Sequence, residues 1–221
     1  MDDLMPPDPD LERLHTRTYE VRSFRVNANT VLLVGAVRDI KPAGLYVQGD
    51  PEPLVIHHMV VNLEVTYPSM EITSARVVFE DHPHTICPGI TPHYEKLIGL
   101  SIARGFTHRV RELFGGPRGC THVTALLQAM APVANQSRFS MSMTAGRSSP
   151  VELRGPLTPD QRKLLFAGNV NTCHVWDEEG DHVQSLDRGE ESELPLWIQK
   201  RFAELGRDVG DWRSSMSLGQ Q

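Results

Sequence analysis

With 221 residues and a formal charge of −6, the chain can hold one sizeable domain, or one domain with an appendage. No uninterrupted apolar run reaches the ~18 residues that a membrane helix needs, and the acidic, proline-rich opening from Met1 to Asp10 is unlike a secretory signal. The three cysteines, Cys87, Cys120 and Cys173, are an odd number in a chain without an export signal, which points to reduced thiols and a cytoplasmic protein.

The charge is unevenly placed. Residues 1–12 carry five acids, and residues 177–193 carry eight acids against one Arg. Between them, residues 13–176 hold 17 basic and 12 acidic side chains, a net of +5. A mildly basic body suits a small anionic ligand. It lacks the dense basic patch and stacking aromatics of a nucleic-acid binder.

Residues 1–13 read as a disordered leader. Strand character follows over Arg17 to Val26 and Thr30 to Ile40, and Asn27-Ala28-Asn29 between them predicts a hairpin. After a loop rich in Pro and Gly, Leu54 to Tyr67 alternates, with Val55, His57, Met59, Val61, Leu63 and Val65 on one face. Pro68-Ser69-Met70 turns the chain into a fourth strand, Glu71 to Glu80. Short links between four strands predict an antiparallel meander with one buried face.

Thr91-Pro92 reads as an N-cap with Pro at the first helical position, opening a short helix to Leu97 or Ile98. A second helix is predicted over Phe106 to Phe114. The longest runs from about Cys120 to Arg138, with Val123, Leu126, Leu127, Met130 and Val133 as its apolar stripe. Pro132 should kink or shorten it. Ser148 to Arg154 is expected as a fifth strand, Pro159 to Phe166 as a helix and Leu194 to Leu205 as an amphipathic helix. The whole divides as a leader (1–13), one α+β domain (14–185), a helical appendage (186–213) and a frayed tail (214–221).

Chemistry concentrates where the turn Gly115-Gly116-Pro117 enters the long helix through Arg118-Gly119-Cys120-Thr121-His122. A helix start presents unpaired N–H groups and the positive end of the dipole, a site for an anion or a developing oxyanion. On that reading Gly119 admits a carbonyl or phosphate, the N–H of Cys120 and its neighbours stabilises negative charge, and His122 orients water or moves a proton. The plainer reading makes Gly119 a turn residue, Thr121 a cap and Cys120 a small buried hydrophobe. Cys120, His122, Cys173 and His174 together make a Cys₂His₂ ligand set, but their spacing is not that of a zinc site, so no metal is expected. His57 becomes interesting only if the long helix packs on its face of the third strand. Asp39 and Glu20, beside Arg17, Arg22, Arg25 and Arg38, read as a cross-strand ion-pair ladder on the wet face. Arg104, Arg109, Arg111 and Arg118 either bind the phosphates of a nucleotide-like group or form a solvated helix face.

His15-Thr16-Arg17-Thr18, Glu20-Val21-Arg22-Ser23-Phe24-Arg25, His57 with Met59, Arg118-Gly119-Cys120-Thr121-His122, and Cys173-His174 with a following aromatic resemble the bacterial family catalogued as domain of unknown function 2889. The resemblance covers about His15 to Trp176, and Arg-Gly-Cys-Thr-His is its most specific element. It implies a hotdog-like fold, an antiparallel sheet wrapped around one long helix. It also implies acyl-CoA thioesterase activity in the catabolism of aromatic acids, and a homodimer, since hotdog sheets commonly pair. The family's His-Asp-Met reads His57-His58-Met59 here, so the Asp at the second position is absent. The long helix carries no Asp or Glu between Cys120 and Arg138, so the base must be a histidine or come from a strand.

The expected activity is therefore hydrolysis of a small, aromatic acyl-CoA thioester by direct attack of water. Backbone N–H groups at Gly119 and Cys120 would hold the thioester oxygen, His122 aided by His57 would activate water, and Arg104, Arg109, Arg111 or Arg118 would bind the CoA phosphates. Coenzyme A enters as part of the substrate, with no separate cofactor. Cys120 as a nucleophile stays open. The alternatives are a protein that binds an acyl-CoA or aromatic acid without turnover, and a Cys/His metal or thiol-redox protein.

Overall fold

Alternation with a period of two builds the sheet. In the computed structural model, which describes residues 4–145, 166, 168–190 and 194–210, the strands are β1 (Thr16–Arg25), β2 (Thr30–Lys41), β3 (Leu54–Thr66) and β4 (Glu71–Asp81). They pair antiparallel in the order β1-β2-β3-β4, as a meander of short links requires. Asn27 Oδ1 accepts the N–H of Asn29 at 2.9 Å and holds the first hairpin turn. One face of the sheet is buried: Val31, Leu33 and Val37 from β2, Met59, Val61, Leu63 and Val65 from β3, Ile72 and Val77 from β4.

That face meets α2 (Thr121–Ala145), a helix of 25 residues. α1 (Phe106–Phe114) precedes it, within the range the sequence predicts. Val123, Leu127, Met130, Ala134, Ser137 and Met141 are buried along α2 at alternating steps of three and four residues, the spacing that keeps one helix face on a core. Val133, placed in the stripe from sequence, packs at its margin and Ala134 takes its place. Gly35 lies in the buried file of β2. A Cβ there would stand 2.8 Å from Met130 Sδ and 3.2 Å from Leu126 Cδ1, so the missing side chain is what lets α2 come close to β2. Tyr67 Oη, at the end of β3, donates to the Ala134 carbonyl at 2.6 Å and ties the far end of the sheet to α2.

Two expectations about helices change. The segment at Thr91 is a 3₁₀ helix that opens earlier, over Cys87–Leu97, with Pro at its start and Pro92 inside it. Thr91 is not its cap; its Oγ1 donates to the Pro88 carbonyl at 2.9 Å. Pro92 has no N–H to give an α-helical bond, which favours the tighter winding. Pro132 does not shorten α2, which continues to Ala145. Pro132 lies on the exposed side, and the buried stripe holds the helix on both sides of it.

The chain forms two compact units, Met1–Met143 and Thr144–Gln221. In the second, a short 3₁₀ turn (His174–Trp176) leads to α3 (Asp181–Asp187) and α4 (Leu196–Glu204). α3 lies in the acid-rich stretch 177–193; Asp181 in its first turn complements the helix dipole, and Val183 and Leu186 are buried. Trp176 meets Phe166 at a tilt and His182 edge-on, at 5.3 and 4.8 Å between ring centres. In α4 Ile198 is buried while Leu196 and Trp197 stay exposed. The expected fifth strand at Ser148 to Arg154, and the helix at Pro159 apart from Phe166, fall outside the described residues. No helix among the described residues is long and apolar enough to cross a membrane.

Candidate active site

Strand register brings the site together. Arg17, Asp39 and His57 sit directly opposite one another across β1, β2 and β3. Asp39 continues the file Val31, Leu33, Gly35, Val37, so it points into the core and is only 1% exposed. It is not part of a ladder on the wet face. The pairing of β2 with β3 slips just after Asp39, where Ile40 faces Val55; such a bulge bends a strand and re-aims the side chains beside it.

A carboxylate in that position needs partners, and five nitrogens surround it. Arg17 grips it as a fork, Nε to Oδ1 at 2.6 Å and Nη2 to Oδ2 at 2.7 Å. His15 Nε2 lies 3.3 Å from Oδ1. His57 Nδ1 lies 3.0 Å and His122 Nε2 3.1 Å from Oδ2. The Arg17 guanidinium holds the Asp39 carboxyl well below the usual carboxylate range, against the opposing effect of burial. His122 is pushed below its ordinary value, first by burial and then by electrostatic repulsion from the neighbouring His57 and Arg17, with Asp39 acting in the other direction.

The result is a neutral imidazole beside a fixed anion. With its proton on Nε2, His122 donates to the shared oxygen and keeps Nδ1 as a lone-pair nitrogen. His122 Nδ1 in turn lies 3.6 Å from Cys120 Sγ. The rings of His57 and His122 are 4.0 Å apart between centres and tilted by 32°. α2 therefore packs on the face of β3 that carries His57, the condition on which His57 mattered. Neither imidazole is sealed in: their side chains keep 19% and 15% of their exposure.

The start of α2 is built by packing. Cys120 accepts the first helical bond, from the Thr124 N–H at 2.9 Å, and so caps the helix. Its own N–H donates to the hydroxyl of Tyr94 at 2.8 Å. Burial raises that phenol to about 12, so it stays protonated. The Gly119 N–H reaches the Gly116 carbonyl at 3.4 Å. Both donors expected to hold an oxyanion are thus engaged, and the N–H groups of Thr121, His122 and Val123 are the ones that helix geometry leaves without an intrahelical acceptor.

Gly119 is extended, with φ −160°, a conformation open to any residue. Space is what excludes a side chain there, because a Cβ would lie 2.5 Å from the Phe114 carbonyl oxygen. Gly119→Ala is accordingly expected to destabilise the fold by about 1–3 kcal/mol, the usual cost of overpacking, measured as a lower denaturation midpoint at unchanged slope.

The four arginines divide. Arg109 pairs with Glu112 at 2.5 Å. Arg118 donates to the carbonyls of Glu112 and Arg111, at 2.9 and 3.3 Å, and so caps the end of α1. Arg104 and Arg111 have exposed side chains. A shallow cleft of 280 Å³ opens beside the helix start, lined by Phe114, Gly115, Gly116, Thr121, Thr124, Ala125 and Gln128. Cys173 and His174 belong to the second unit.

Asp39, His15, Arg17 and Tyr94 are the site residues that sequence reasoning left out. For Asp39 the signal was present: it keeps step with the apolar file of β2. Tyr94 carried none, since its role depends on where the 3₁₀ segment packs.

The fold and the site describe an α+β protein with a carboxylate-imidazole centre at the start of its longest described helix. By sequence it belongs to the family DUF2889, described as a protein of unknown function, whose model matches residues 15–136. That match takes in β1 through most of α2 and every residue around Asp39. No curated protein and no solved structure matches the chain.

Proposed function

We propose that the chain hydrolyses a small acyl-CoA thioester, releasing a carboxylic acid and free CoA thiol. The observation that carries this reading is the single oxygen of Asp39 lying within 3.1 Å of both His57 Nδ1 and His122 Nε2, with His122 in the first turn of α2. A carboxylate that orients an imidazole and stabilises its protonated form is how a histidine is made into a general base. The base expected on a histidine or a strand is then both: His122, held by Asp39 of β2. The N–H groups of Thr121 to Val123 are the donors for the thioester oxygen.

A hotdog-like arrangement is supported by one antiparallel sheet with α2 against its buried face. The family resemblance, rather than any feature of the site, supports an aromatic acyl group, a homodimer and a cytoplasmic setting. Arg104 and Arg111 are better placed to meet the CoA phosphates than Arg109 and Arg118, whose guanidinium groups already have partners. The test is a panel of aromatic and short-chain acyl-CoAs with a thiol-detecting reagent. Catalytic release of thiol from at least one is expected. Thermal stabilisation by an acyl-CoA without release would replace hydrolysis by binding alone.

A second reading has one observation in its favour. The ligand atoms of Asp39, His57 and His122 lie within 4.8 Å of one another, a set of two imidazoles and one carboxylate that transition metals accept. The Arg17 fork on both oxygens of Asp39 opposes it by fixing a positive charge at the same carboxylate. Stoichiometric metal in the purified protein, lost in His57→Ala, would favour this reading over the first.

A further inference from the structure

Cys120, His122 and Asp39 form a chain of contacts. Sγ lies 3.6 Å from His122 Nδ1, and Nε2 of the same ring lies 3.1 Å from Asp39 Oδ2. Asp39 is itself fixed by the two-toothed Arg17 contact. This is the order nucleophile, base, orienting carboxylate, with the base using one nitrogen for each neighbour. Three features make it more than a cysteine near a helix. The carboxylate is buried, at 1% exposure. The histidine is kept neutral, ready to take a proton. And the thiol is half-buried rather than enclosed, on the residue whose carbonyl opens α2, where the positive end of the helix dipole favours a thiolate.

Resting on the thioester reading above, we infer that hydrolysis runs in two steps through an acyl group carried on Cys120. In the first, Sγ adds to the thioester carbonyl carbon as its proton passes to His122 Nδ1. The tetrahedral adduct collapses, the bond from carbon to the CoA sulfur breaks, and the departing thiolate takes the proton back from His122. An acyl-Cys120 thioester remains. In the second step water gives its proton to the same nitrogen and adds to the acyl carbon, the bond to Sγ breaks, and Sγ is reprotonated by His122. The sum is thioester plus water giving acid plus CoA thiol, with no change of oxidation state. The first acceptor of the acyl group is thus a thiol of the chain, and water enters only afterwards.

The test uses the full chain with benzoyl-CoA and acetyl-CoA, quenched in acid during turnover and read by intact mass and peptide mapping. One acyl group on the Cys120 peptide is expected, with a burst of one thiol per chain preceding the steady state. In Cys120→Ala the adduct and the burst should vanish and steady release should fall at least a hundredfold, with an unchanged thermal midpoint showing an intact fold. Cys120→Ser guards against a packing effect: an oxygen ester forms slowly, hydrolyses more slowly still, and should accumulate on residue 120. A wild type that turns over without adduct, together with a Cys120→Ala variant of near wild-type rate, overturns the inference and leaves the hydrolase reading standing. A stoichiometric burst and adduct without turnover does the reverse. Absence of burst, adduct and turnover overturns both.

Discussion

Asp39→Asn is expected to lower thioester hydrolysis by about three to four orders of magnitude, with most of the loss in kcat, by analogy with triads whose carboxylate is made an amide. The amide can still occupy the space, but it cannot accept from Arg17, His57 and His122 at once. Its own N–H₂ would turn toward one of those donors, reversing the tautomer of a ring or leaving Arg17 unmatched. The stability cost should be smaller than the about 3–5 kcal/mol of breaking a fully buried ion pair, because the Arg17 side chain keeps 37% of its exposure. Two measurements separate these effects: thiol release at saturating acyl-CoA, and a denaturation curve. A large loss of rate with a modest loss of stability is the signature of an orienting carboxylate. Equal collapse of both would make Asp39 a structural anchor.

His122→Ala should cost roughly 10²–10⁴ in rate, the range for removing a positioned base, and wild-type activity in this variant would refute the site. The pH dependence carries a second signature. His122 titrates below its ordinary value in the folded chain, so kcat/KM should hold its plateau further into acid than a free histidine allows. The linkage to stability has the same sign. Between its folded value and the ~6.5 of an unfolded histidine, the unfolded chain binds more protons, so stability is complete above that range and is lost as pH falls through it. Asp39, also lowered in the folded state, adds a further loss below the ordinary carboxylate range. Thermal midpoints should therefore fall in two stages on acidification, and Asp39→Asn should remove the lower stage.

Alternation made the sheet legible: Val31, Leu33 and Val37 on β2 and Met59, Val61, Leu63 and Val65 on β3 are buried as their spacing requires. The start of the long helix was legible from glycine and cap chemistry, and Gly119 also has a packing reason that sequence does not show, its closeness to Phe114. Its end was not, because Pro132 invites a stop that the buried stripe on both sides overrides. Asp39 was hidden by its company. Among so many arginines a carboxylate reads as one rung of a solvated ladder, and only its phase with the apolar file shows that it faces inward. The meeting of His122 with Asp39 lies beyond sequence pattern altogether. It depends on where α2 lands on the sheet, which Gly35 allows by leaving room for Met130.

The most direct test of the central claim is imidazole NMR on nitrogen-labelled protein, with the His57 and His122 rings assigned by substitution. A neutral His122 bearing its proton on Nε2 at neutral pH, and a shift of both rings in Asp39→Asn, is the predicted result. A charged His122 at that pH, or rings indifferent to the loss of the Asp39 carboxylate, would contradict it.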